Sequence, residues 1–278
     1  MKTLLVPTDF SQHAFNACLY AAGMAVGHDW KLHLLHVYDT YYAVSAYPAM
    51  TGAAWAEIRD AADEQMAGLI TKLQEQFPSI AISGENREGT VGDAVAKSAR
   101  EKAVDLVVMG THGATGLKYA TLGSNTFAVI QKSPVPVAAI PAGVSTFRMD
   151  RVGFAVNYHV SEITALESFT ELINRPVDII LFHLYGKGKQ EETQKLQKWE
   201  KRFEKITSGS RSRLHFKLAI SRNLPVGINR MVFREGLNAL VMTPVDKPFF
   251  DRLFSKQLVK VIAHKPVVPV FFMKGAGK

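Results

Sequence analysis

Six residues that close an apolar run, Leu34-Leu35-His36-Val37-Tyr38-Asp39, return 147 positions later as Leu181-Phe182-His183-Leu184-Tyr185-Gly186. Further along, Leu240-Val241-Met242 answers Val107-Val108-Met109, and Lys265-Pro266-Val267-Val268-Pro269-Val270 answers Lys132-Ser133-Pro134-Val135-Pro136-Val137, now at an offset of 133. The second copy has therefore lost 14 residues between these points, most economically from the connection that holds Tyr41 to Gly52. A repeat of this length argues for tandem duplication. The expected domains are 1–141 and 150–273, separated by a polar joint with Pro and Gly.

Each copy alternates short apolar runs with helical periodicity. In the first, Thr3 to Val6, Lys31 to Tyr38, Ile80 to Ile82, Val104 to Met109 and Val135 to Ile140 read as strands. Ser83 to Glu88 reads as a polar continuation outside the third strand. Helices are expected from Ser11 or Asp9 to about Val26, from Ala54 to Phe77, from Val91 to Lys102 behind Thr90, and after Gly123. This order demands two doubly wound α/β units, each a mostly parallel five-stranded sheet with helices on both faces. In such sheets ligands lie beyond the carboxyl ends of strands, where the strand order reverses. Asp9, Val37 and Gly110 all stand at strand ends, so three distant positions can share one cleft.

The chemistry concentrates in Val104 to Thr126. An apolar run stops at Gly110, Gly113 follows, and Gly123-Ser124 precedes the helical run Phe127-Ala128-Val129-Ile130. Glycines let main-chain amides approach a ligand, and a helix start offers unpaired N–H groups and a positive dipole end, which suits phosphate. Taken singly, Gly110 and Gly113 could serve only a turn and Ser124 only a cap; the joint spacing is what favours an anion. It is neither the dinucleotide fingerprint nor the P-loop.

The spacing does match G-x2-G-x9-G-[ST], filled by Gly110, Gly113, Gly123 and Ser124, and the opening Leu4-Leu5-Val6-Pro7-Thr8-Asp9-Phe10-Ser11 agrees with it. On these two motifs the chain resembles the universal stress protein family, in a tandem form. The resemblance implies an adenine nucleotide alpha hydrolase-like fold and ATP, with or without Mg²⁺, in the first copy. It places Asp9 on the nucleoside, the main chain at Val37 on adenine, and Gly110, Gly113, Gly123, Ser124 and Asn125 on phosphate, with Thr8 and His112 as neighbours. It also implies a nucleotide-dependent sensor or regulator of the stress response acting on a client protein. A non-nucleotide interaction module and a slow ATPase stand as alternatives.

The second copy departs from the motif. At offset 133, Thr243, Asp246, Lys256 and Gln257 replace the glycine-loop residues, and Asn157 replaces Asp9. Its nucleotide site is expected to be lost. Residues 1–148 carry 11 Lys and Arg against 13 Asp and Glu, and 149–278 carry 22 against 12, so the second copy supplies the whole excess of +8. Its densest basic stretch, Lys187 to Arg213, is interleaved with Glu191, Glu192, Glu200 and Glu204, which fits a solvated ion-paired helix better than a nucleic-acid surface.

One cysteine, Cys18, excludes an intrachain disulfide framework. The histidines lack compact metal-ligand spacing, and no P-loop lysine is present, so neither a metal enzyme nor a familiar ATPase is expected. The absence of a long apolar run and of a leader-like start favours a cytoplasmic protein without a membrane span. The two terminal strands are expected to pair within the chain as in a fused dimer, with homodimerisation of the full chain beyond that.

Overall fold

The computed structural model describes residues 1–26, 29–38, 52–111, 123–207, 212–243 and 268–274. They form two compact units, the first ending at Phe147 and the second beginning at Arg148.

Unit 1 runs β1 (Lys2–Thr8), α1 (Gln12–Ala25), β2 (Trp30–Tyr38), α2 (Gly52–Gln76), β3 (Ala81–Glu88), α3 (Val91–Glu101), β4 (Leu106–Gly110), α4 (Ser124–Lys132) and β5 (Val137–Ile140). Its strands lie in the order β3-β2-β1-β4-β5 and are all parallel. The chain steps outward from β1 to β3, then crosses back to β4, so α1 packs with α2 and α3 with α4. Leu4, Leu5, Leu34, Leu35, Val107 and Val108 are fully buried, as expected of parallel strands covered on both faces.

Unit 2 runs β6 (Arg151–Ala155), α5 (Val160–Ile173), β7 (Asp178–Tyr185), α6 (Lys189–Thr207), β8 (Arg213–Ile220), α7 (Leu224–Glu235), β9 (Ala239–Met242) and β10 (Val270–Phe272). The order β10-β9-β6-β7-β8 is again all parallel and matches unit 1 strand for strand. The missing residues come out between the second and third strands, where α6 has 19 residues against 25 in α2. Among the described residues no helix is long and apolar enough to cross a membrane.

Two expectations need correction. The third strand does not stop at Ile82: Ser83 to Glu88 belong to β3, because their polar side chains have partners on the sheet face. Nδ1 of His33 lies 2.8 Å from the Ser83 hydroxyl, and Nε2 lies 3.2 Å from Glu85. Arg87 donates to Glu85 at 2.8 Å, the Ser98 hydroxyl does so at 2.9 Å, and Lys102 lies at 3.3 Å. Burial works to raise the Glu85 carboxyl, but the bonds from Arg87, Ser98 and His33 outweigh it and bring the pKa down to about 2.

The last strand also begins later than Val135. Ser133 and Val135 exchange two bonds in a turn, and only the Pro136 carbonyl joins the ladder, accepting from Val107. Pro269 accepts from Leu240 in the same way. A proline without an N–H can still feed a sheet through its carbonyl, which is why each sits just before its strand.

Gly153 in β6 is a packing glycine. A Cβ there would lie 2.5 Å from Leu237 Cδ1, 2.9 Å from Leu240 Cδ2 and 3.1 Å from Phe182 Cε1. Gly153→Ala is expected to destabilise unit 2 by about 1–3 kcal/mol through overpacking, read as a lower urea midpoint at unchanged slope.

Candidate functional site

In unit 1 the strand order reverses between β1 and β4. These two strands pair only at Leu4↔Leu106 and Leu5↔Val107, then separate. Val6, Pro7 and Thr8 on one side, and Val108, Met109 and Gly110 on the other, continue without pairing to each other. The result is a crevice at the carboxyl ends, the usual ligand position in this architecture. In unit 2 the equivalent pairing runs one residue further, to Phe154↔Val241.

The far wall of the crevice is held by one main-chain and one side-chain bond. The N–H of Gly123 donates to the Thr111 carbonyl at 2.9 Å, and the Thr126 hydroxyl donates to the Gly110 carbonyl at 2.9 Å. These two bonds fix the start of α4 at the end of β4. Gly123 is the N-cap, with φ −59° and no side chain to satisfy the first-turn amides. Ser124 and Asn125 are therefore the first two helical residues, both exposed, and Ser124 is not the cap. His112 and Gly113 lie outside the described residues.

On the near wall, Thr8 and Asp9 shape a tight turn. The Thr8 hydroxyl accepts from the Phe10 amide at 3.0 Å, and Asp9 Oδ1 accepts from the Ser11 amide at 3.1 Å. Ser11 then caps α1 by accepting from Ala14 at 3.2 Å. Thr8 is buried and Asp9 exposed beyond the strand end. Strand β2 extends past its last pair with β1, Thr8↔His36, while Val37 and Tyr38 stay paired to β3. The main chain at Val37 thus lies level with Asp9, one residue past the last β1–β2 pair.

The sequence did not reveal an aromatic device at this end. Phe10 has φ +60°, which turns its ring onto His36 at 4.5 Å between centroids, and Nδ1 of His36 lies 2.9 Å from the Thr8 carbonyl. Unit 2 copies it: Tyr158 has φ +66°, its ring lies 4.5 Å from His183, and His183 Nδ1 lies 2.8 Å from the Val156 carbonyl. The paired aromatics at matching positions were the available signal.

The chemistry supporting the turn differs between the copies. Val156, Asn157 and Glu162 stand where unit 1 has Thr8, Asp9 and Ala14. Glu162, 1% exposed, accepts from the amides of Asn157 at 2.7 Å and His159 at 3.1 Å. One buried carboxylate replaces two side-chain acceptors. A glutamate at the third helical position behind a capping residue was the legible trace. Glu192 on α6 lies 3.3 Å from His183 Nε2, and Trp199 lies 6.0 Å from the Tyr158 ring. Burial, and then the charge of Glu192, raise the Tyr158 hydroxyl. Helix α6 thereby packs on the carboxyl-end side of β7 in unit 2. Thr243, also buried, follows β9 where Gly110 ends β4; Asp246, Lys256 and Gln257 lie outside the described residues.

A pH prediction arises here. Burial pushes Glu162 up to about 7 against its amide bonds, so the fold binds its proton more tightly than the unfolded chain does. Its contribution is fully present below about 4.5 and fades as pH rises through 7. Burial lowers His33, so unit 1 loses stability as pH falls below 6.5. Acidifying from neutrality should raise hydrogen-exchange protection factors, taken relative to the intrinsic rate at each pH, around residues 157–166 and lower them around 31–36. Glu162→Gln should remove the first response only; parallel responses in the two units would refute the assignment.

Residues 1–141 match the model of the universal stress protein family. The chain belongs to the universal stress protein family. Universal stress protein MJ0531 of Methanocaldococcus jannaschii is 27% identical over 139 residues, covering 50% of this chain and 81% of that protein. Universal stress protein YxiE of Bacillus subtilis is 28% identical over 145 residues, covering 49% and 97%. A crystal structure of a universal stress protein from Archaeoglobus fulgidus matches 98% of this chain and 96% of its own, with TM-score 0.71 and 19% identity. That likeness is one of fold.

Proposed function

We propose that this universal stress protein binds ATP, with or without Mg²⁺, in its N-terminal domain of residues 1–141, and that the C-terminal domain of residues 150–273 has lost the site. The reading rests above all on the β1–β4 crevice with the uncapped start of α4 tied to one wall. First-turn amides of α4 and the exposed Ser124 and Asn125 would meet phosphate oxygens, and Gly110 and Gly123 keep the approach free of side chains. Asp9, an acceptor, suits a ribose or base donor, and the main chain at Val37 suits adenine. Gly113 and His112 complete the phosphate side by sequence. Bound nucleotide supplies charge and affinity for a regulatory state; the protein acts in the cytoplasm as a nucleotide-dependent regulator of the stress response through a client protein.

In unit 2 the same positions do not fit a nucleotide, because the turn amides already hold Glu162 and α6 already meets His183. The expected stoichiometry is therefore one adenine nucleotide per chain. Mass spectrometry of nucleotide released from gently denatured protein, with calorimetric titration of ATP, AMP and cyclic AMP, reads it directly. Two equivalent sites, or none, would reject the proposal. Homodimerisation of the full chain is checked separately by light scattering.

A further inference from the structure

We infer that Thr126 is a positioning residue for phosphate: its hydroxyl holds the start of α4 at the end of β4 without using the amides that phosphate needs. The inference rests on the nucleotide reading above. Thr126 is the third residue of α4 and is 3% exposed. A helical threonine ordinarily returns its hydroxyl to a carbonyl three or four residues back in its own helix. This one donates to Gly110 at 2.9 Å, 16 positions away and on the last residue of β4.

Helices α1 and α7 are anchored by a cap that consumes an amide. Ser11 accepts from Ala14 at 3.2 Å, and Asn223 accepts from Val226 at 3.3 Å. A phosphate at a helix start needs those same first-turn donors, so a cap of this kind would compete with it. Thr126 anchors α4 in the opposite sense. Its hydroxyl is the donor and the strand carbonyl the acceptor, so the tie takes up none of the first-turn amides. Gly123, as the N-cap, adds a second tie through its own N–H on the Thr111 carbonyl and has no side chain to compete.

The internal copy separates shape from hydroxyl. At an offset of 133 it has Val259, a side chain of nearly the same shape without the donor. The exchange accompanies the loss of the glycine loop, where Lys256 and Gln257 stand for Gly123 and Ser124. The copy that keeps the loop keeps the hydroxyl.

The test is calorimetric titration of the full chain with ATP, and with adenosine by displacement of ATP, for the native protein, Thr126→Val and Thr126→Ser. Valine keeps the volume and removes the donor; serine keeps the donor. Thr126→Val should weaken ATP about tenfold and adenosine less than about twofold, and Thr126→Ser should bind ATP within about twofold of the native protein. Unchanged ATP affinity in folded Thr126→Val, equal losses for ATP and adenosine, or no recovery in Thr126→Ser would overturn the inference while leaving nucleotide binding intact. No ATP binding by the native protein would remove both. If Thr126→Val does not fold, Thr126→Ala is set against Thr126→Ser, since both lack the methyl and differ by the hydroxyl alone. The alanine variant must then bind ATP about tenfold more weakly than the serine variant, and equal affinities overturn the assignment.

Discussion

Glu162→Ala is expected to destabilise unit 2 by about 3 kcal/mol and to leave unit 1 unaffected. The carboxylate is 1% exposed and accepts from the amides of Asn157 and His159. Removing it takes the acceptor from two part-buried amide bonds and leaves a cavity at the buried side chain, while ending the cost of burying a charge offsets part of the loss. Alanine is tolerated at the matching Ala14 because Thr8 and Asp9 hold the turn there. This yields a rescue. Adding Val156→Thr and Asn157→Asp to Glu162→Ala transplants the unit 1 arrangement and should recover most of the loss. Urea unfolding with hydrogen exchange resolves the two units. Failure of the rescue would show that Glu162 supports more than the turn.

The fold was legible because its signal is carried by burial. The runs around Leu4, Leu34 and Val107 are covered on both faces, and their spacing with helical segments leaves few topologies for a parallel sheet. Outer strands were harder to bound. Residues 83–88 contain Ser83, Glu85, Asn86, Arg87 and Glu88 and look like a loop until His33, Ser98 and Lys102, distant in the chain, supply their partners. Such pairings are tertiary and leave no periodicity. The same limit hid the site's near wall. Asp9 and Val37 could be placed at strand ends, but the stacking of Phe10 on His36 depends on one residue with positive φ, which sequence reading assigns to glycine or asparagine first. Glu162 and Glu192 belong to helices whose polar residues look solvated until α5 and α6 are packed.

Gly123→Val is expected to weaken ATP binding by about 10- to 100-fold, or roughly 1.4–2.7 kcal/mol, in a protein that still folds. Gly123 has φ −59° and ψ 148°, a conformation open to any L-residue, so its glycine is not needed for backbone strain. Glycine ranks well above valine at an N-cap, so the substitution also costs about 0.5–1 kcal/mol of stability, which is measured alongside binding. What valine adds is bulk at the mouth of the amides of α4, at the point tied to Thr111. The matching argument for Gly113 rests on sequence alone, whereas Gly123 separates close approach from conformational strain. Calorimetry with ATP and adenosine sharpens the result: a phosphate-side obstruction should reduce ATP affinity while sparing adenosine. Equal losses would move the obstruction to the nucleoside side, and unchanged ATP affinity in a folded variant would mean that phosphate does not approach the start of α4.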